Sequence, residues 1–242
     1  MRHNQRRPDE IRPIRFTPHF ISRTPGSVLV ELGETRVVCT ATYENRVQHF
    51  LRGKGSGWIT AEYAMLPGST GNQRVARERL KVNHRHGEIQ RFMGRALRST
   101  VDLKKLGERT ITIDADVISA DGSTRCASVC GGMMALLLLL KHMVYETVIP
   151  HFPATRLLAS VSVGVCRGEV VADLDYEEDS SAESDIAVVS NEAGELIEVM
   201  AFAEGKPLSV AHLGEAVAMA EQRNREIIGI IRTTLGEAGL AL

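Results

Sequence analysis

The sequence has few cysteines, no long apolar run, no low-complexity tract and almost no net charge, and each shortage excludes something. Its four cysteines, Cys39, Cys126, Cys130 and Cys166, form no Cys-x-x-Cys pair and no zinc-ligand spacing. A chain of 242 residues can bury a core without disulfide staples, so a reducing cytoplasm is the simplest expectation. The stretch from Met1 to Arg7 has no apolar segment behind it and does not read as a secretory signal. The longest apolar run, Val129 to Leu140, falls short of the about 20 residues that span a bilayer, so no membrane is expected as a partner. An apolar share of 43% is that of a globular chain.

The net charge of −1 conceals a segregation. Residues 1–110 carry 21 Lys+Arg against 10 Asp+Glu, whereas residues 111–242 carry 8 against 20. A basic half favours a polyanionic partner, and an acidic half favours metal sites or a complementary self-surface. Mutual neutralisation of the two halves accounts for the same charges.

Hydrophobic periodicity orders the chain. Val28 to Leu32, a Gly33-Glu34 turn and Thr35 to Thr42 read as a hairpin, and Gly57 to Met65 as a further strand. A polar, basic loop is expected from Gly68 to His86. Ile89, Phe92, Met93, Ala96 and Leu97 then recur at helical spacing, with Arg91, Arg95 and Arg98 on another face and Gly107 ending the helix. Residues 110–118 alternate as a strand, and 124 to about 146 reads as a long core helix. Pro150 and Pro153 mark the crossing into a second half. There Leu157 to Cys166 and Val170 to Asp175 form one hairpin, Asp185 to Val189 and Leu196 to Phe202 another, and a helix from about Ser209 to Leu235 follows. Strands and helices are grouped, so an α+β fold is expected. It would be a single domain over 1–242 built from two strands-plus-long-helix halves, 1–149 and 150–242, with a duplicated βαβ-type unit as one way to build them.

Three clusters carry chemistry. Asp121-Gly122-Ser123-Thr124-Arg125 breaks a strand and starts the core helix. Free N–H groups and the dipole at such a start attract an anion, and Arg125 adds a planar fork suited to phosphate. Alternatively, Ser123 or Thr124 merely caps the helix and Arg125 is solvated. The second cluster is the basic stretch Arg74, Arg77, Arg79, Lys81 and Arg85. The third is the acidic run from Asp173 to Asp185, whose hard oxygen donors at a strand end suit Mg²⁺ or form a solvated loop. His84 and His86 read as facing solvent or RNA, and Trp58 reads as core. Asp114 and Asp116 share one strand face and either brace arginines of the site or point to solvent. No Ser-His-Asp set stands out.

Several segments follow one another as in a known family. They are Arg12-Pro13, Gly26-Ser27-Val28, Cys39 to Thr42, Thr60-Ala61-Glu62-Tyr63 with Met65-Leu66-Pro67, Glu88 to Arg91, Val101 to Thr110, and Asp173 to Tyr176 with Glu178-Asp179. In this order they resemble the ribonuclease PH family of bacterial phosphate-dependent 3′-to-5′ exoribonucleases, along almost the whole chain. The resemblance implies a ribosomal protein S5 domain 2-like fold assembled as a homo-hexameric ring, a trimer of dimers. It implies that Arg85, Ser123, Thr124 and Arg125 hold inorganic phosphate and that Asp179 and Asp185 serve Mg²⁺. Arg85, Arg125, Asp179 and Asp185 would form the catalytic set. Arg74, Arg77, Arg79, Lys81 and Arg91 would grip RNA. The implied activity is trimming of tRNA precursors at their 3′ ends, with phosphate in place of water, nucleoside diphosphates released, and nucleotide addition in reverse. The sequence departs from the family pattern at Ser123, where glycine is usual, at Cys126, where threonine is usual, and at Ala201-Phe202, where Gly-Thr is usual. The rival readings are a catalytically silent RNA-binding ring subunit and an unrelated nucleotide-binding protein.

Overall fold

The computed structural model describes residues 2, 4–71, 74–76, 84–203 and 206–240. The fold is α+β with two sheets. The first contains β1 (Ile14–Pro18), β2 (Gly26–Leu32), β3 (Thr35–Glu44), β4 (Trp58–Met65) and β5 (Thr110–Ser119) in the order β1-β2-β3-β5-β4. All neighbours are antiparallel except β4 and β5, which run parallel because helix α1 (His84–Arg98) carries the chain over between them. Leu32 pairs with Thr35 across the Gly33-Glu34 turn, where Gly33 takes the positive φ that a two-residue hairpin favours. β1 is not expected from the sequence; its five residues are too few for a clear alternation.

Helix α1 ends sooner than its apolar spacing predicts. Thr100 turns its hydroxyl back to the Leu97 carbonyl at 2.7 Å, and Val101 pairs with Ala154 as an isolated bridge. A separate short helix, α2 (Leu103–Leu106), follows, capped by the Asp102 carboxylate, and Gly107 closes that one. The expected basic loop is shorter than predicted at its far end, because Arg85 and His86 already belong to the first turn of α1. Arg77, Arg79 and Lys81 lie outside the described residues. Arg74 is exposed.

Helix α3 (Thr124–Tyr145) is the centre of the molecule. Every residue from Cys126 to Leu140 is buried, so the helix needs no polar face. It is long and apolar enough to cross a membrane, yet 83% of that apolar window is buried inside the molecule. It packs on β2, β3 and β5, and also on β6 (Leu158–Cys166) of the second sheet. Gly131 permits the close approach: a Cβ there would lie 2.4 Å from the Val30 side chain.

The second sheet has the order β7-β6-β8-β9 and is antiparallel throughout. Its other strands are β7 (Glu169–Ala172), β8 (Ser184–Asn191) and β9 (Leu196–Ala203), and α5 (Val210–Glu237) packs across β6, β7 and β8. Both halves therefore place a long helix after their strands, but the βαβ crossover occurs only in the first. β7 stops at Ala172 because Asp173 turns into the left-handed region. The acidic run is consequently not a plain strand-to-strand connection: it folds into a short helix, α4 (Tyr176–Ser181), begun by a capping box between Asp175 and Glu178.

The N-terminal arm is fastened to the second half by buried charge. Arg12 gives Asp173 a two-pronged contact, Nε to Oδ2 at 2.9 Å and Nη2 to Oδ1 at 2.7 Å, and its backbone N–H adds a third bond at 2.7 Å. Arg6 approaches the same carboxylate at 3.0 Å, and Arg2 binds Glu178 at 2.6 Å. Burial alone would raise the Asp173 carboxyl, but the hydrogen bonds and charge of Arg12, with Arg6, outweigh it and hold the group below the ordinary aspartate range. Asp173→Asn keeps a residue that tolerates the left-handed backbone but strands the arginines, and should cost about 3–5 kcal/mol. Because the folded carboxyl titrates below the unfolded one, the advantage of the native chain over the variant should be full above the unfolded aspartate value and vanish as pH falls through the folded one. Urea unfolding of both proteins across that range checks it.

Candidate anion and carboxylate site

Arg85, Ser123, Thr124, Arg125, Asp179 and Asp185 line one cavity of about 350 Å³. The chain brings them there from four elements: Arg85 from the first turn of α1, the 123–125 segment from the start of α3, Asp179 from α4, and Asp185 from the second position of β8. Arg85, Arg125, Asp179, Asp185 and Tyr176 also border a wider outer chamber of about 680 Å³, where Arg91 joins them.

The start of α3 is built to leave donors available. Ser123 sits at the cap position with a left-handed backbone, φ 54°, and its side chain does not cap the helix. Its hydroxyl turns instead to Asp173 Oδ1 at 2.9 Å, the Leu174 carbonyl at 3.0 Å and the Ser162 hydroxyl at 2.6 Å. Thr124 exchanges a hydrogen bond with the Tyr63 hydroxyl at 2.9 Å. The N–H groups of a first turn have no partner within their own helix, and here neither hydroxyl takes them. The capping reading of Ser123 and Thr124 is thereby set aside. Gly122 holds the turn against the second half, with φ at 73° and the Leu174 carbonyl only 2.4 Å from where a Cβ would stand.

Arg125 is not the solvated side chain of the alternative reading. Only 12% of its side chain is exposed, and Nη1 stands 3.7 Å from Asp185 Oδ2. Its guanidinium lies 6.0 Å from the ring centroid of Phe92 and 5.7 Å from that of Phe202. Burial raises the Tyr63 hydroxyl above the ordinary phenol range, although the Thr124 bond and the charges of Arg85 and Arg125 pull it down. Tyr63 therefore stays a neutral hydrogen-bonding group. Burial also pushes the cavity-lining Cys126 thiol up to about 12, which leaves no thiolate to act as a nucleophile.

Asp179 and Asp185 are half-buried oxygen donors that line the same cavity. Among the described residues no group of three or more His, Cys, Asp and Glu could hold a metal ion. Two carboxylates fit a hard cation of the Mg²⁺ kind, which takes one or two carboxylates and completes its shell with water and phosphate oxygens. They do not fit zinc.

Other expectations move. His84 is exposed, whereas His86 is buried with its ring edge-on to Tyr63 at 5.2 Å, so only one of the two faces solvent. Trp58 is half-buried rather than core: it shares its strand with Ile59 and Ala61 but alternates to the opposite face, where Arg98 covers it at 4.2 Å. Asp114 and Asp116 line a separate pocket with Glu62 and do not border the cavity. Desolvation raises both carboxyls. Sequence reasoning missed Tyr63, Tyr176 and Phe202 as site neighbours. Tyr63 carried a signal, alternating in register with Ile59 and Ala61 on the buried face of β4; Tyr176 was marked only as part of a family-like segment and Phe202 only as a departure from the family pattern.

Comparison with known proteins gives the family and the fold. Residues 10–140 match domain 1 of the 3′ exoribonuclease family, and residues 157–223 match its domain 2. Among solved structures, the chain is similar to Rrp46 of rice (Oryza sativa), with 18% identity, a TM-score of 0.77, and coverage of 97% of this chain and 100% of that one. It is similar to a chain of the Archaeoglobus fulgidus exosome with RNA bound to the active site, at 20% identity and a TM-score of 0.78, covering 93% and 91%. A chain of an archaeal exosome core matches at 19% identity and 0.77, covering 95% and 90%. At such identities these likenesses establish the fold.

Gly122→Ala tests the turn that aims the first-turn N–H groups. The positive φ costs about 1 kcal/mol in an L-residue, and the contact with the Leu174 carbonyl adds to it. The variant should melt several degrees lower, measured by calorimetry. An unchanged melting temperature would show that the turn is not held against the second half.

Proposed function

The chain belongs to the 3′ exoribonuclease family, ribonuclease PH type, and from that premise we propose that it is an active phosphorolytic enzyme that trims the 3′ ends of tRNA precursors in the cytoplasm. The observation that carries the reading is the convergence of Arg85, Arg125, the uncapped α3 start, Asp179 and Asp185 on one cavity. A silent RNA-binding subunit would have no need of that set. An unrelated nucleotide-binding protein is set aside by the family match along both halves.

Phosphorolysis brings two anions together, so the site needs fixed positive charge at the point of contact. Arg85 and Arg125 hold inorganic phosphate against the first-turn N–H groups, and the Thr124 hydroxyl, already fixed by Tyr63, orients it. An oxygen of that phosphate attacks the phosphorus of the terminal phosphodiester. The bond to the 3′ oxygen of the preceding nucleotide breaks, that oxygen takes up a proton, and a nucleoside diphosphate leaves. Run backwards, the same steps add a nucleotide. Ser123 contributes its backbone and keeps the turn anchored through its hydroxyl. Asp179 and Asp185 would hold Mg²⁺, which when bound neutralises charge on the reacting phosphates. The phosphate side is thus supplied by residues before 150 and the carboxylates by residues after it.

Arg74, Arg77, Arg79 and Lys81, with Arg91 on the wall of the outer chamber, are proposed to hold RNA beyond its scissile end. The exosome matches favour assembly with further copies, here as a homo-hexamer, a trimer of dimers.

Degradation of a short RNA should require inorganic phosphate and yield nucleoside diphosphates. Arg125→Ala should lower the rate by about 10²–10³, the scale of one preorganised donor. Asp185→Asn should abolish the Mg²⁺ response while the protein still melts normally. Monophosphate products in phosphate-free buffer would overturn the reading.

Neutralising Arg74, Arg77 and Arg79 together should weaken tRNA-precursor binding and lower its salt slope by about 0.7–0.9 for each RNA phosphate that is no longer neutralised. Oligomers too short to reach the loop should bind as before. Equal weakening on long and short RNA would assign the loop to folding or assembly.

A further inference from the structure

The outer chamber has a feature that neither phosphate nor a metal ion explains. Phe202 is 42% exposed on β9, an edge strand, although an edge usually presents polar side chains. It pairs directly across from Asp185 in the β8–β9 ladder, and directly opposed residues project from the same sheet face. Its ring meets the Arg125 guanidinium at 5.7 Å. The chamber it borders is lined by Arg85, Arg91 and Arg125 and by the carboxylates Glu88, Asp179 and Asp185, and it shares Arg85, Arg125, Asp179 and Asp185 with the anion cavity. A second exposed aromatic, Tyr176, lies on the rim shared by both spaces.

We propose that the ring of Phe202 is the stacking platform for the base of the 3′-terminal nucleotide. The inference rests on the phosphorolytic reading above and adds what holds the base. The argument is one of placement. An unpaired base carries a flat apolar face, which aromatic rings bind irrespective of base identity. The phosphodiester attached to that base must reach Arg125 and Asp185, and the Phe202 ring packs on the one and pairs across from the other. Arg85, Arg91 and Arg125 present their guanidinium groups to the backbone that enters with the base, beside the carboxylates Glu88, Asp179 and Asp185. The substrate so selected is single-stranded RNA with an unpaired end and little preference among the four bases, because ring stacking makes no hydrogen bond to a base edge. Among the departures from the family's usual residues, Phe202 thus acquires a role.

The test uses the full-length protein and two ten-nucleotide RNAs, one intact and one whose 3′-terminal ribose lacks its base. With intact RNA, Phe202→Ala should raise KM about 5- to 150-fold, the range of one base–aromatic stack. KM for phosphate and the melting temperature should not move. Phe202→Trp should restore RNA affinity. With the baseless RNA, native protein and Phe202→Ala should be equally poor. Three results would overturn the proposal: a changed KM for phosphate, which would make the ring a support for Arg125; a changed mass in solution, which would place it at a subunit contact; or the same weakening on both RNAs. Binding of the two RNAs is also measured directly by fluorescence anisotropy. If the native protein releases no diphosphates, the phosphorolytic reading fails, whereas the binding comparison still decides whether the base rests on Phe202.

Discussion

The Asp173 carboxylate is the point through which the molecule is tied together. It is fully buried, and it accepts bonds from Arg12 and Arg6 of the N-terminal arm and from Ser123 at the start of α3. A carboxylate in that position is tolerable only while its donors remain, since a buried charge without partners costs several kcal/mol. The cluster therefore acts as a constraint on three segments distant in sequence. The same residue ends β7 by entering the left-handed region, and that turn delivers the chain into α4 and hence to Asp179. Arg12 also binds the carbonyl of Asp121, and the Tyr176 N–H meets the Asp121 carboxylate at 3.2 Å. The turn that starts α3 and the helix α4 are thus joined through Asp121.

Much of this architecture was legible in the chain because periodicity survives where one face is buried. The β2–β3 hairpin, both second-half hairpins and the long helices lie where alternation and helical spacing put them. Misplaced boundaries have local causes. α1 stops at Arg98 although Leu103 and Leu106 prolong its apolar pattern, because the tertiary bridge between Val101 and Ala154 competes for that backbone. α4 was hidden because its six residues are almost all polar and its stability comes from the Asp175–Glu178 capping box rather than from an apolar face. Trp58 was misjudged because sharing a strand with core residues does not mean sharing their face.

The site was legible in a different way. Arg85, Thr124, Arg125, Asp179 and Asp185 could be named from residue chemistry and family likeness, and the fold brings all five to one cavity. What no pattern in the chain disclosed is the internal bonding. Ser123 has the side chain of a typical helix cap, yet its hydroxyl serves the opposite half, and that exchange is visible only once β6 and Asp173 are in place. Phe202 likewise reads as one more apolar position in an alternating strand. Its significance depends on register, which sets it against Asp185.

The all-round burial of α3 has a consequence for how the protein comes into being. During synthesis the first sheet and α3 emerge before β6 and α5, and domains generally fold as units in that N-to-C direction. Until β6 and α5 arrive, the side of α3 that they cover has only water to face. A nascent chain that has not yet delivered β6 and α5 would leave uncovered the Leu, Met and Cys side chains of α3 that face them, the kind of surface that chaperones hold and that aggregates form on. The long helix is shared property of the two sheets, and buried residues of both halves join in one hydrophobic cluster. Truncation, permutation or fusion at the Pro150–Pro153 crossing separates partners of one core, despite the look of a linker.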